Sequence, residues 1–276
     1  MKLDLSLIDG ISSFVEKKHD SSIHKPITIA HGDNMALLRY MKEEMMRGYF
    51  HIGIVDPPYG ISVGDMKLGQ TKDSEPRNYE MGKWDNEVPS LEYWFLLSYV
   101  CRDLIIWGGN YFTGTNVAIY ELQLEDGKKI YTQDVSVYIK NKATCIKKID
   151  FSKGVVPGRC FYYWDKLNNG MSFADGELAL TTLDKSARMI GKSRNLMAQD
   201  GEKRHPTQKP SYLYDAIHLE NNLQGKRVLD THGGSFSHAI AAFRNKVELV
   251  IIDREESYYK SGLEAFEREF SKPTLF

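Results

Sequence analysis

The stretch from Pro26 to Gly60, PITIAHGDNMALLRYMKEEMMRGYFHIGIVDPPYG, constrains the fold more than any other part of the chain. ITIAH reads as a buried strand, and Gly32, Asp33 and Asn34 as a turn. Asp33 or Asn34 then caps a helix from about Met35 to Met46, whose apolar residues Leu37, Leu38, Met41 and Met45 recur at helical spacing. HIGIV, rich in β-branched residues, is a second buried strand that stops abruptly at Asp56-Pro57-Pro58. Strand, helix and strand in succession make the repeating unit of a parallel sheet. Further on, Leu91 to Val100 reads as helix, and DLIIWGG, FYYWDK and GELALTTL read as strands. Ser211 to Asn222, Phe236 to Phe243 and Tyr258 to Phe270 read as helices, with RVLD and VELVIID as strands between them. The prediction is an α/β chain with a doubly wound, Rossmann-like sheet.

Two segments interrupt this alternation. Residues 62–86 are polar and too long for an ordinary connection, which marks a functional or mobile loop. Residues 113–160 read as an inserted β-arm, with a hairpin signal at Asp126-Gly127. The chain of 276 residues is 42% hydrophobic, enough for one domain spanning 1–276 with insertions. No apolar run approaches the roughly 20 residues of a membrane span, and no signal peptide is expected. Cys101, Cys145 and Cys160 are widely spaced, which fits a reduced cytoplasm and gives no metal-ligand pattern. Net charge is −1, so no global field announces a polyanionic partner. Charge is nevertheless uneven: residues 140–159 and 185–204 are basic, and on charge alone both read as solvated loops.

Two motifs carry chemistry. RVLDTHGGSFSHAIAA is a strand, a small-residue turn and a helix start, where glycines let a ligand approach the backbone and a helix N-terminus favours a polar or anionic group. Asp253, 23 residues after Asp230, ends the next strand, where a carboxylate holds a ribose diol in nucleoside-binding α/β folds. DPPYG is more specific. Its two prolines stiffen the turn and remove two backbone donors, leaving carbonyls as acceptors. Asp56 and the Pro57 carbonyl suit the two hydrogens of an amino group on a planar ring, with Tyr59 stacked on that ring.

Asp56-Pro57-Pro58-Tyr59 resembles the catalytic motif of the DNA amino-methyltransferases, and His205 to Pro210, HPTQKP, resembles a segment of their β-group. The turn from Asp230 to Ser237 resembles their cofactor loop. In that group the catalytic motif precedes the cofactor loop, a circular reordering of the sheet that the order here matches. IIWGGNYF, YWDK and FADGELA resemble members common in phages and prophages. The likeness covers most of residues 26–270 and is poor over 113–160. One departure stands out: Phe236 occupies the place of the loop's second glycine, so either the turn follows a variant path, the reading favoured by Gly233, Gly234 and Ser235, or cofactor affinity is impaired.

The resemblance implies S-adenosylmethionine as methyl donor. By position, Asp253 would hold its ribose, Asp230, Gly233, Gly234 and Ser235 would line its methionine half, Thr207 and Lys209 would meet its carboxylate, and Asp33 would lie near its adenine. The implied substrate is adenine N6 in double-stranded DNA, flipped from the helix. Asp56 favours adenine over cytosine N4, which remains the nearest alternative. Chain order argues against relatives that act on RNA or protein amides, and a non-catalytic DNA-binding homologue is the reading Phe236 leaves open. Lys147, Lys148, Lys153 and Arg159 in the arm, with Lys192 and Arg194 in the basic loop, are the expected phosphate contacts. Dimers occur in the family, and the arm offers a surface for one. Trp107 and Tyr111 read as core, Asn110 as a supporting residue of the site, and Cys101 and Cys145 as packing residues rather than nucleophiles.

Overall fold

The structure, a computed structural model, describes residues 2–18, 25–60, 88–115, 119–133, 144–149, 159–167, 175–191 and 208–271. Five strands form its centre: β2 (Ile27–Gly32), β3 (Phe50–Val55), β4 (Cys101–Trp107), β11 (Arg227–Asp230) and β12 (Glu248–Asp253). They run parallel in the spatial order β2-β12-β11-β3-β4. Their short apolar runs bury both faces, as a parallel sheet covered by helices requires. Ile27, Ile29, Ile52 and Ile54 face one core, while Ala30 and Val55 face the other.

Helices α1 (Asn34–Glu43) and α2 (Leu91–Val100) cover one face. Helices α3 (Ser211–Glu220), α4 (Ser237–Arg244) and α5 (Glu256–Phe270) cover the other. The sheet is extended beyond its parallel centre. β1 (Ile11–Lys17) adds antiparallel to β2, β9 (Gly176–Thr181) adds antiparallel to β4, and β8 (Phe161–Asp165) and β10 (Arg188–Gly191) follow, giving nine strands among the described residues.

The sequence reading omitted β1 and β10. β1 is an edge strand with no fully buried residue, and β10 buries only Ile190 within a basic run. Part of segment 185–204 is therefore sheet: Lys185 donates to Asn221 Oδ1 at 2.7 Å and Arg188 pairs with Glu220 at 3.1 Å, both at the end of α3.

A separate three-stranded sheet comprises β5 (Ile119–Gln123), β6 (Lys129–Thr132) and β7 (Thr144–Ile149) within residues 113–160. β5 and β6 pair antiparallel around the Asp126-Gly127 turn, where Gly127 takes φ +81°. This small sheet explains α2, whose Tyr93 to Leu97, Tyr99 and Val100 are all buried. A helix apolar on all sides needs partners on all sides. The arm supplies the outer one, with Tyr131 5.1 Å from Phe95 between ring centroids, and Lys42 of α1 in a buried ion pair at 2.9 Å with Glu121 of β5. Among the described residues no helix is long and apolar enough to cross a membrane.

Candidate active site

The sheet order changes direction between β11 and β3: β11 leads through α4 to β12 on one side, and β3 leads through α2 to β4 on the other. The carboxyl ends of two such strands open a crevice where α/β folds bind ligands. Leu229 lies opposite Gly53, so Asp230, the last residue of β11, and Asp56, just past the end of β3, both leave the sheet at that crevice.

On the β3 side, Asp56 stands directly after the strand. Its Oδ1 accepts from the Tyr59 hydroxyl at 2.6 Å, and its Oδ2 accepts from Lys209 Nζ at 2.5 Å. Lys209 also pairs with Glu177 Oε2 at 3.1 Å, and Glu177 pairs in turn with Lys166. The Lys209 side chain is 3% exposed and lies 5.3 Å over the Trp107 ring. Burial raises the Asp56 carboxyl above its ordinary range more than Lys209 pulls it down. For Lys209, burial works toward a lower pKa, but Asp56 and Glu177 outweigh it and hold the ammonium above its ordinary value. Burial likewise works to raise Glu177, yet Lys209 and Lys166 bring it below the usual carboxylate range. The result is a desolvated, charge-alternating chain of Asp56, Lys209, Glu177 and Lys166, each charge paired as burial demands.

Tyr59 lies against Gly108, which takes φ +62°; a Cβ there would come within 2.1 Å of Tyr59 Cε1. Only glycine permits both the left-handed backbone and this approach. Tyr111 stacks on Tyr59, centroids 4.8 Å apart and planes 10° from parallel.

On the β11 side, Asp230 is buried. Its Oδ1 accepts from the His232 amide at 3.0 Å and its Oδ2 meets His238 Nδ1 at 2.8 Å. Burial lifts its carboxyl to about 7 and depresses His238 to about 3. His238 continues to His218, with Nε2 atoms 3.0 Å apart, and the Tyr214 ring stacks on His238 at 4.3 Å. Asp253 ends β12; its Oδ2 accepts from the Gly234 amide at 2.7 Å and its Oδ1 from the Glu255 amide at 2.8 Å. Burial lifts this carboxyl to about 6. Each of its oxygens retains a second lone pair, so the residue fits the holder of a diol. The small turn, the helix start of α4 and this fixed carboxylate together fit a nucleoside cofactor with a charged tail.

Phe236 bears on the path of that turn. It takes the left-handed backbone itself, φ 54° and ψ 25°, rather than a path that avoids it. Its side chain is 0% exposed and packs into a space left by Gly233 and Gly262, where added Cβ atoms would approach it to 2.2 and 2.7 Å. The variant path expected from sequence is thus corrected: burial of the ring offsets the strain.

Lys209, expected at the cofactor, grips Asp56, and its charge also acts on Asp230 across the crevice. Asp33 caps α1 through the Met35 amide at 3.0 Å, and Asn34 ties that helix to the β11 turn by donating to the Thr231 carbonyl at 3.0 Å. Ser235 Oγ is 2.9 Å from Ser237 Oγ within the turn. Trp107 is core, while Tyr111 is 50% exposed. Arg159 pairs with Asp184 at 2.6 Å on an exposed surface. Cys101 and Cys160 are buried, and burial pushes the Cys101 thiol far up, as befits a packing residue. Thr207, Lys192, Arg194, Lys153, the whole of 62–86 and the side chains of Cys145, Lys147 and Lys148 lie outside the described residues. Glu177 and Tyr214 were missed. The signal for Glu177 was an acid within the apolar run GELALT; Tyr214 offered none, because an aromatic on a helix reads as core.

No family model matches the chain. It is 25% identical over 265 residues to the type II methyltransferase M2.DpnII of Streptococcus pneumoniae, covering 87% of this chain and 90% of that protein. It is also 25% identical over 255 residues to M2.LlaDCHI of Lactococcus lactis subsp. cremoris, another type II methyltransferase, covering 84% and 86%. The chain is related in sequence to type II methyltransferases. Among solved structures, M1.HpyAVI in complex with S-adenosylmethionine aligns with a TM-score of 0.46 and 14% identity, over 89% of this chain and all of that one. The cytosine-N4-specific PvuII DNA methyltransferase aligns with a TM-score of 0.44 and 11% identity, over 91% and 88%. The site described above is assembled from both halves of the chain, since Lys209 reaches Asp56 across 153 residues.

Proposed function

We propose that this chain is an S-adenosylmethionine-dependent DNA methyltransferase acting on adenine N6 of a flipped-out base. The observation that carries the reading is the pairing, at one switch point, of Asp56-Pro57-Pro58-Tyr59 after β3 with the small-residue turn after β11. The type II methyltransferase relatives support it. The cofactor, when bound, supplies an electrophilic methyl group. Asp253, Gly234 and the start of α4 would hold it, with Asp230 shaping the turn through His232 and His238.

The substrate's amino nitrogen is a poor nucleophile because its lone pair is delocalised into the ring. Asp56 and the Pro57 carbonyl accept its two hydrogens and draw the nitrogen toward a pyramidal geometry that localises the pair. Lys209 and Tyr59 fix the Asp56 carboxylate while leaving acceptor capacity on both oxygens. Positioning and preorganised charge, rather than a covalent intermediate, are the enzyme's contribution. After transfer the nitrogen must shed a proton. Asp56 is its first acceptor, and the upward shift from burial makes it a better one than a surface aspartate. Double-stranded DNA in the cytoplasm is the partner this reading names, with the arm as a surface for a second copy.

The test is transfer of labelled methyl from S-adenosylmethionine to unmethylated DNA, followed by nucleoside analysis. N6-methyladenine is expected, together with loss of transfer in Asp56→Ala. N4-methylcytosine would move the substrate to the other amino base. Absence of label in any DNA overturns the reading.

A further inference from the structure

Tyr111 has a feature that core packing does not explain. The next residue, Phe112, is 6% exposed and meets both Trp94 and Tyr59, whereas Tyr111 is 50% exposed and stacks on Tyr59 alone among the ring pairs described. The two rings are parallel to within 10°. Tyr59 cannot readily move: its hydroxyl is held by Asp56 at 2.6 Å, and its ring rests against the backbone of Gly108. Tyr111 sits on a 3-10 segment, Gly109–Thr115, its amide donating to the Gly108 carbonyl at 2.8 Å. One ring of the pair is anchored and the other is half-exposed, with the planes already parallel.

We propose that Tyr111 is the second ring of the base-binding site, so that the target base enters between Tyr111 and Tyr59. This rests on the amino-methyl transfer reading above. Before DNA binds, Tyr111 covers the apolar face of Tyr59. As the base arrives, the spacing must open to about 7 Å, two aromatic contact distances, and Tyr111 supplies the movement because Tyr59 is fixed. The base then stacks on both faces, and its amino group comes within reach of Asp56, which Tyr59 touches. Stacking of this kind accepts any base, so Tyr111 contributes affinity while Asp56 and Pro57 supply the chemistry.

The test uses the full chain with unmethylated genomic DNA. Tyr111→Phe keeps the ring and is expected to behave within about twofold of the unaltered protein. Tyr111→Ala, and Tyr111→Leu with its apolar bulk retained, are expected to raise KM for DNA on the order of tenfold while leaving KM for S-adenosylmethionine unchanged. Once the methylated position is mapped, an oligonucleotide carrying 2-aminopurine there is expected to fluoresce more brightly with Tyr111→Ala, because one quenching ring is gone. Unchanged KM for DNA and unchanged emission in active Tyr111→Ala would overturn this inference alone. So would an equal loss in Tyr111→Phe, or parallel rises in both KM values. Absence of transfer by the unaltered protein would overturn the parent reading and this inference with it.

Discussion

Phe236 stands at φ 54°, where an L side chain costs roughly 1–2 kcal/mol, and it is held there by complete burial against Gly262. Two substitutions separate these effects. Phe236→Ala keeps the strain and empties the space, and is expected to destabilise by about 3–5 kcal/mol in denaturant unfolding. Phe236→Gly empties the same space but releases the strain, and is expected to cost about 1 kcal/mol less. A second prediction concerns Asp253, whose carboxyl burial lifts to about 6. A carboxyl raised above its unfolded value near 4 stabilises most below that value, and loses its contribution as pH rises through about 6. Ligand binding runs the other way, because the ionised form accepts hydroxyl donors best. Calorimetry between pH 5 and 7.5 should show S-adenosylmethionine binding tighten on ascending through about 6, with the dependence abolished in Asp253→Asn. At this scale the sequence showed Asp56 and Asp253 through their strand-end positions, but not the Lys209–Asp56 contact. A pair separated by 153 residues leaves no local pattern.

Elements were legible where burial is two-sided. Helix α2 is found at Leu91–Val100 as read, and the hairpin at Asp126-Gly127 is present because its glycine takes the backbone that such a turn needs. β1 and β10 were not legible, since an edge strand has few buried positions and polar residues or cations obscure its pattern. The arm's attachment gives this scale its prediction. Glu121 is 2% exposed at its side chain and pairs with Lys42 at 2.9 Å, so Glu121→Ala strands a nearly buried ammonium. The expected cost is about 3 kcal/mol by chemical denaturation. Replacing both partners, Lys42→Met with Glu121→Leu, should restore most of it, because the apolar pair carries no desolvation penalty.

As a whole molecule the chain carries a net charge of −1, so grip on DNA has to come from local cations. Each phosphate contact contributes about 0.9 to the slope of log affinity against log salt. The combined variant Lys147→Ala, Lys148→Ala, Arg159→Ala should flatten that slope by about 1–3 in a fluorescence titration, with one sequence losing as much as another. The doubly wound sheet was readable because alternating strands and helices leave few topologies, and the switch point follows from that order. Docking of the small sheet was not readable, though α2 held its trace in being apolar on every side. That property also limits exchange between homologues. A host given this arm without α2 would offer it a polar helix, and one given α2 without the arm would turn aromatic surface to water. The two can be transplanted only together, so any trade of recognition parts carries a piece of the scaffold with it.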